Sequence, residues 1–387
     1  MAHSIPEPLV EVILQDGLFS ESKTPTETIA VIPTNLETES VITDDNKVRV
    51  FWDDGHQSEY LMSWLEKYSG KNDNARNDQT RDLVTYSHWG AEVKNNPPVI
   101  HFDAIMAGNE GLGKWTSKIR EFGFCFVDGC PVSPEKTQEL LERIAFIRVT
   151  HYGKHIWKKV VDLLTCRGGF YDFTSDLTMK DTAYTSLALQ AHTDTTYFTD
   201  PAGLQMFHLL SHTDGHGGAS LLVDGFNAAE ILRKEDPTAF EILTKVPIQW
   251  HASGNDGITI TPERPMPVIS IQGEFGLDDV ETANISQIRW NNDDRAVVPL
   301  GDGGSTALAW YDAASKWTEI LKRQNMEYWE QLVPGRALIF DNWRVLHGRS
   351  AFTGKRRICG GYINRDDFIS RWRNTNFSRK EVLEQIL

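Results

Sequence analysis

Leu189-Gln-Ala-His192-Thr-Asp194-Thr-Thr-Tyr-Phe198 runs from a strand-like stretch into a polar turn, and its His-x-Asp core decides what the rest of the chain has to supply. On a strand, residues i and i+2 point to one face, so a His and an Asp at that spacing can grip one ion, with a third ligand arriving from elsewhere in the fold. Two further strings have the same form, His101-Phe-Asp103 and His212-Thr-Asp214. Chance supplies such strings easily, and position has to discriminate. His192 and Asp194 directly follow a strand-like run, and so can project into the mouth of a barrel. His212 sits in Ser211-His-Thr-Asp-Gly-His-Gly-Gly218, whose glycines mark a solvent-facing hairpin loop, and His101 precedes the core. The first string is therefore the metal candidate.

Outward from this stretch, short strands dominate from Tyr184 onward, separated by Gly, Asp and Pro. They are expected at 184–189, 203–210, 220–223, 287–290, 336–340 and 358–363, with helical inserts at 228–245 and 307–332. Upstream, Leu112, Trp115, Ile119 and Phe122 recur at helical spacing and Gly123 ends the run before the apolar strand Phe124-Cys-Phe-Val127. Ser133-Pro134-Glu135 supplies an N-cap, a first helical residue and a first-turn acid for a further helix. The fold expected is mainly β with flanking helices, a double-stranded β-helix (jelly roll) core. A polar lead-in over 1–28, a small N-terminal β-domain over 29–70 and an Asn- and Asp-rich linker over 71–96 precede the jelly-roll domain at 97–387.

Composition narrows the partners. The 387 residues carry a net charge of -15, which disfavours nucleic acid and anionic lipid and mildly favours a cationic small substrate. No apolar run is long enough to cross a membrane. The four cysteines, Cys125, Cys130, Cys166 and Cys359, show no C-x-x-C spacing, so neither a disulfide framework nor a thiolate zinc site is indicated. The first 28 residues are acidic and lack an apolar signal core, from which a cytoplasmic location is expected.

A third ligand is available at His347, in Leu338-Ile-Phe-Asp-Asn-Trp-Arg-Val-Leu-His347-Gly-Arg349, where an apolar run and the following Gly place a histidine at a strand end. A histidine simply bonded in the core is the bland alternative. Two His and one carboxylate on one face of an octahedron form the arrangement of non-haem Fe(II) oxygenases, whereas zinc would use the same ligands with a single open position. If the open positions hold a 2-oxo acid, its distal carboxylate needs a fixed bidentate cation, and Arg356 stands nine residues beyond His347 on an apolar strand. Ser220 is a plausible hydroxyl partner for the same carboxylate.

These residues resemble a known family. His192-Thr-Asp-Thr-Thr-Tyr-Phe198, Leu222-Val-Asp-Gly-Phe226, Asp341-Asn-Trp-Arg-Val-Leu-His-Gly-Arg349, Phe352-Thr-Gly354 and Gly361-Tyr-Ile-Asn-Arg-Asp-Asp367 are similar to motifs of the γ-butyrobetaine and trimethyllysine dioxygenases. The resemblance runs from about residue 29 to the C-terminus. It implies an Fe(II)- and 2-oxoglutarate-dependent oxygenase that uses O2, with ascorbate as reductant, and hydroxylates N6,N6,N6-trimethyllysine at carbon 3 in the first step of carnitine synthesis. It places His192, Asp194 and His347 on iron, and Arg356 on 2-oxoglutarate with Ser220 and Tyr184 beside it. A quaternary ammonium cannot donate a hydrogen bond and is best held against aromatic faces. The positions matching the family's aromatic cage are Tyr152, Tyr171, Tyr184 and Tyr362. Thr195 stands where the butyrobetaine enzyme has a further aromatic, which favours trimethyllysine. A γ-butyrobetaine dioxygenase and a catalytically impaired jelly-roll binding protein are the alternatives, and a homodimer is conceivable.

Two departures from the family pattern stand out. The N-terminal β-domain of the family holds zinc through three cysteines and a histidine. Here His56 matches the histidine, but no cysteine precedes Cys125, so no structural zinc is expected. Residues 154–168 separate Tyr152-Gly153 from Gly169-Phe-Tyr171, which are adjacent in the family. They read either as an unspliced short intron in the gene model or as a genuine surface excursion.

Overall fold

Alternation in Lys47-Val-Arg-Val-Phe-Trp52 buries Val48, Val50 and Trp52 and leaves Arg49 exposed, the mark of a strand with one covered face. In the computed structural model this run is the middle strand of an antiparallel sheet, β1 (Thr38–Thr43), β2 (Lys47–Trp52) and β3 (Gln57–Leu61). The Trp52 indole donates to Ser58 Oγ at 3.0 Å. The structure describes residues 37–44, 46–62, 65, 86–150, 169–174, 185–254, 257–272, 283–300 and 302–386. Residues 29–36 of the expected N-terminal β-domain, the insert 154–168, Tyr152 and Tyr184 lie outside them.

The chain divides into two compact units, Met1–Leu83 and Val84–Leu387. The division falls inside the stretch read as a linker, whose later residues are packed: Trp89 is buried, and its indole donates to the Phe122 carbonyl at 2.6 Å.

The second unit contains β4 (Val99–His101), β5 (Phe124–Asp128), β6 (Tyr171–Thr174), β7 (Leu189–His192), β8 (Leu204–Thr213), β9 (Ser220–Asp224), β10 (Ile269–Ile271), β11 (Ile285–Ile288), β12 (Tyr328–Glu330), β13 (Arg336–Asp341), β14 (Val345–Arg349) and β15 (Lys355–Ile363). Six form one sheet in the order β4-β5-β13-β8-β15-β6, four form another in the order β12-β9-β14-β7, and β10 pairs with β11. Strand alternation sorts the core into layers. Phe124, Phe126, Leu338 and Phe340 pack with Leu222, Tyr328 and Val345 of the smaller sheet. Their neighbours Cys125, Val127, Ala337 and Ile339 turn the other way, onto side chains of the helices Asn109–Phe122, Pro134–Glu142 and Arg365–Asn376. On the smaller sheet, Leu221, Val223 and Leu346 pack on the helices Gly225–Glu235, Pro237–Lys245 and Ser305–Leu321. The result is a two-sheet jelly roll with helices on both outer faces.

Two helix expectations need correction. The span 228–245 is two helices, because Asp236 accepts from Ala239 N at 2.9 Å and Pro237 occupies the first turn of a new one. The span 307–332 is helical only to Leu321; Tyr328–Glu330 pairs instead with β9, where the Tyr328 ring packs against Phe124 and Phe126. Tertiary packing of an aromatic overrode the helical pattern there.

Candidate active site

β7 and β14 run antiparallel in the smaller sheet, and in their register His347 is the cross-strand partner of His192. Directly opposed residues of an antiparallel pair point to one face, and the two imidazole centroids are 4.3 Å apart. Asp194 lies two residues beyond His192, where β7 has ended. Its Oδ1 sits 3.3 Å from His192 Nε2 and 3.8 Å from His347 Nε2. The three ligating atoms all lie within 4.8 Å of one another, the sole such group of His, Cys, Asp and Glu among the described residues.

The turn carrying Asp194 is fixed from several sides. Asp194 N donates to Asn342 Oδ1 at 2.8 Å, and Asn342 Nδ2 donates to the carbonyls of Asp194 at 2.9 Å and Ala202 at 3.0 Å. Thr195 adopts φ +58°, a left-handed conformation uncommon for a β-branched residue, while its Oγ1 accepts from Ala202 N at 2.8 Å. The buried Arg289 donates to the carbonyls of Thr196, Phe198 and Thr199. Asp194 Oδ2 accepts from Gln205 Nε2 at 2.7 Å and from the Tyr362 hydroxyl at 2.8 Å, which leaves Oδ1 to face the imidazoles. Gln205 and Tyr362 are themselves register partners on β8 and β15.

Protonation follows from this geometry. Burial pushes His347 down to about 3, so it is neutral at physiological pH. His192 is pulled down by burial as well, but the hydrogen bond and charge of Asp194 outweigh it and raise its pKa. Burial works to raise Asp194, yet the imidazoles of His347 and His192 and the Tyr362 hydroxyl hold it well below the usual carboxylate range. His192 Nδ1 lies 2.8 Å from the Gln190 carbonyl, so Nδ1–H donates there and Nε2 is the nitrogen turned toward Asp194 Oδ1. Two imidazole nitrogens and one ionised carboxylate oxygen, converging from one side, suit a divalent transition metal such as iron. The residues present fit that group.

Near these three residues the cavity, of about 470 Å³, is lined by Arg356, Ser220, Phe207, Ile358, Tyr171 and Tyr362 among others. Arg356, on β15, is 1% exposed, and its Nε and Nη1 have no hydrogen-bond partner. Burial, with Arg349 adding to it, lowers Arg356 to about 10, so the guanidinium keeps its charge at neutral pH. A buried, charged and under-bonded guanidinium is costly unless an anion joins it. Gly218, at φ +70°, makes room for it, since a Cβ there would lie 2.9 Å from Arg356 Cζ.

The other two H-x-D strings are used differently. His212 lies within β8 rather than in a hairpin loop, with Nε2 2.8 Å from the Thr353 carbonyl oxygen. His101 ends β4 and caps the next helix, its Nδ1 accepting from Asp103 N at 3.3 Å. Of the four presumed cage tyrosines, Tyr171 and Tyr362 line the cavity with ring centroids 5.9 Å apart. Their hydroxyls are engaged, Tyr171 donating to the Met206 carbonyl at 2.6 Å and Tyr362 to Asp194. Tyr152 and Tyr184 lie outside the described residues.

Sequence reasoning assigned no role to Gln205, Asn342 or Arg289, nor to the wall formed by His251, Asn291, Asp293 and Asp294. A polar residue inside the apolar run Leu204-Gln-Met-Phe was the available signal for Gln205. Asn342 gave none, because its function is to bridge segments 148 positions apart.

The model of the family "Taurine catabolism dioxygenase TauD, TfdA family" matches residues 79–362. A trimethyllysine dioxygenase from Neurospora crassa is 50% identical over 92% of this chain and 76% of its own length. A mitochondrial trimethyllysine dioxygenase from Homo sapiens is 38% identical over 87% of this chain and 73% of its own. A Homo sapiens γ-butyrobetaine dioxygenase is 27% identical over 89% of this chain and 84% of its own. Among solved structures, AAD-2 in complex with Mn(II) and N-oxalylglycine has TM-score 0.52 at 11% identity, covering 73% of this chain and 97% of that one, a likeness of fold.

The expected cytoplasmic location is corrected by these names, since the human, bovine and mouse relatives are all designated mitochondrial. The acidic composition of residues 1–28, from which that location was expected, does not fix a compartment.

Proposed function

Because the chain belongs to the TauD, TfdA dioxygenase family and, within it, to the trimethyllysine dioxygenases, we propose that it hydroxylates N6,N6,N6-trimethyllysine at carbon 3, the first step of carnitine synthesis. It is a 2-oxoglutarate-dependent dioxygenase. The observation that carries the reading is the joining, in one cavity, of the His192–Asp194–His347 cluster with the under-bonded guanidinium of Arg356.

In this reading His192, Asp194 and His347 hold Fe(II), and Arg356 receives the distal carboxylate of 2-oxoglutarate with Ser220 nearby. Bound Fe(II), with 2-oxoglutarate and O2, supplies the oxidising power that breaks an unactivated C–H bond and leaves succinate and CO2, ascorbate serving to keep the metal reduced. The chain's own work is orientation. The Gln190 carbonyl fixes the His192 tautomer, Gln205 and Tyr362 aim the carboxylate, and Asn342 and Arg289 fix the turn on which it stands. The aromatic faces of Tyr171 and Tyr362 are available to the trimethylammonium group.

The second reading is γ-butyrobetaine hydroxylation, which the 27% identity of that relative against 50% for the fungal trimethyllysine enzyme disfavours. The deciding experiment supplies Fe(II), 2-oxoglutarate and ascorbate with each betaine and measures succinate together with hydroxylated product. Coupled turnover with trimethyllysine well above that with γ-butyrobetaine is expected; preference for γ-butyrobetaine, or succinate formed without hydroxylation of either, would overturn the reading.

A further inference from the structure

Among the described residues, the non-glycine positions with a left-handed backbone are Thr195 and Asp214, both at φ +58°. Asp214 is exposed on a bend after β8, and a short polar side chain of its kind tolerates that region. Thr195 is β-branched, 2% exposed, and the immediate neighbour of the carboxylate that completes the His192–Asp194–His347 cluster. A β-branched residue in that region crowds its own backbone, and the conformation persists only where the surroundings impose it.

What imposes it can be followed bond by bond. Thr195 Oγ1 accepts from Ala202 N at 2.8 Å, seven positions along the chain, and the Thr195 carbonyl accepts from Phe198 N at 3.0 Å. The segment 195–202 is therefore closed by a side chain rather than by strand pairing. Its far end is fixed to the sheets by bonds of its own. Gly203 N donates to the Ile363 carbonyl at 2.8 Å, Asn342 N donates to the Gly203 carbonyl at 2.9 Å, and Asn342 Nδ2 donates to the Ala202 carbonyl at 3.0 Å. Ala202 is a fixed post, and the threonine hydroxyl ties the residue beside Asp194 to it.

The residue type follows from these demands. Glycine would take up the left-handed backbone without steric cost, but would leave the fully buried Ala202 N–H with no acceptor. Valine has the shape of threonine and the same defect. Serine offers the acceptor on a side chain less restricted at χ1. Threonine tolerates the strain and supplies an oxygen held in one direction.

We propose that Thr195 is a positioning residue for the metal ligand Asp194: its hydroxyl, clasped to Ala202 N, holds the ligand turn in the left-handed conformation that presets the carboxylate before a metal arrives. The inference rests on the reading of His192, Asp194 and His347 as the iron site and deepens it by one residue. Gln205 and Tyr362 fix where the carboxylate points once its backbone is placed, and the clasp places the backbone.

The test titrates Fe(II) anaerobically into the full-length chain and measures Tm of the same metal-free protein, for the wild type and for T195S, T195V and T195G. T195S keeps the acceptor and is expected to bind Fe(II) close to the wild type. T195V keeps the shape without the acceptor and is expected to bind about tenfold or more weakly, the scale on which losing a supporting hydrogen bond lowers metal affinity. T195G is expected to weaken binding as well; free of the backbone strain, it keeps the test available should T195V not fold. A hydroxyl with a merely structural role would lower Tm and leave the affinity of the folded chain unchanged. Wild-type affinity in T195V or in T195G therefore overturns the proposal. So does a T195S as weak as T195V, which would assign the effect to the methyl group rather than the hydroxyl. An Fe(II) affinity that H192A left unchanged would put the metal elsewhere and remove the clasp's function with it, a failure of the site itself that the Thr195 variants do not mimic.

Discussion

His192 and His347, 155 positions apart in sequence, are cross-strand register partners on β7 and β14, with ring centroids 4.3 Å apart. The proposed metal site is therefore built into the pairing of two strands, and only the carboxylate has to be supplied by a turn.

In the proposed site, replacing either histidine removes one of three ligands. H192A and H347A are expected to abolish detectable Fe(II)-dependent turnover and to weaken metal binding, measured by anaerobic titration, while circular dichroism stays that of the folded chain. H212A, altering a side chain that bonds to the Thr353 carbonyl and packs edge-on against Phe352, should retain most of both. Equal losses in H212A would mean that the metal is held elsewhere.

Tyr362 joins two functions that a single substitution can separate. Y362F keeps the aromatic face but removes the hydroxyl that donates to Asp194 Oδ2, leaving Gln205 to aim the carboxylate alone. A drop in metal affinity of about tenfold is expected, the usual scale for losing a hydrogen-bond partner of a ligand, with a smaller change in KM for trimethyllysine. Unchanged metal affinity would show that this hydrogen bond does not orient the ligand.

Arg356 and Gly218 form a second separable pair. R356M should weaken 2-oxoglutarate binding by about 100-fold or more, on the scale of losing a buried charged partner. G218A forces a Cβ into the space of the guanidinium and should raise the 2-oxoglutarate KM with little effect on metal affinity. If G218A lowered metal affinity instead, the anchor and the metal site would be coupled more tightly than their separate contacts indicate.

His208 predicts the acid side of the stability profile. It is fully buried, with Nδ1 2.7 Å from Thr137 Oγ1 and Nε2 accepting from Gly335 N, and burial lowers its pKa to about 4. An unfolded histidine titrates near 6.5, so between these values the unfolded chain binds the extra proton. Stability from this group is complete above pH 6.5 and declines as pH falls toward 4. Tm measured across that window should fall more steeply for the wild type than for H208Q; parallel curves would mean that another group governs the decline.

The sequence by itself carried the candidate chemistry. His192-Thr-Asp194, His347 before Gly348, and Arg356 on an alternating apolar strand are local patterns, and local patterns survive in one dimension because strand periodicity assigns each side chain a face. It also determined most strands of the jelly roll, for the same reason. Only the tertiary structure decided which H-x-D string meets His347, since that depends on which strand lies beside β14, and register is set by packing rather than by composition. It likewise decided that residues 328–330 form a strand, that Gln205 and Tyr362 share one carboxylate oxygen, and that Asp294 stands by the turn that carries Asp194. Each of these joins residues far apart in the chain, and no spacing along the sequence encodes such a contact before the sheets have closed.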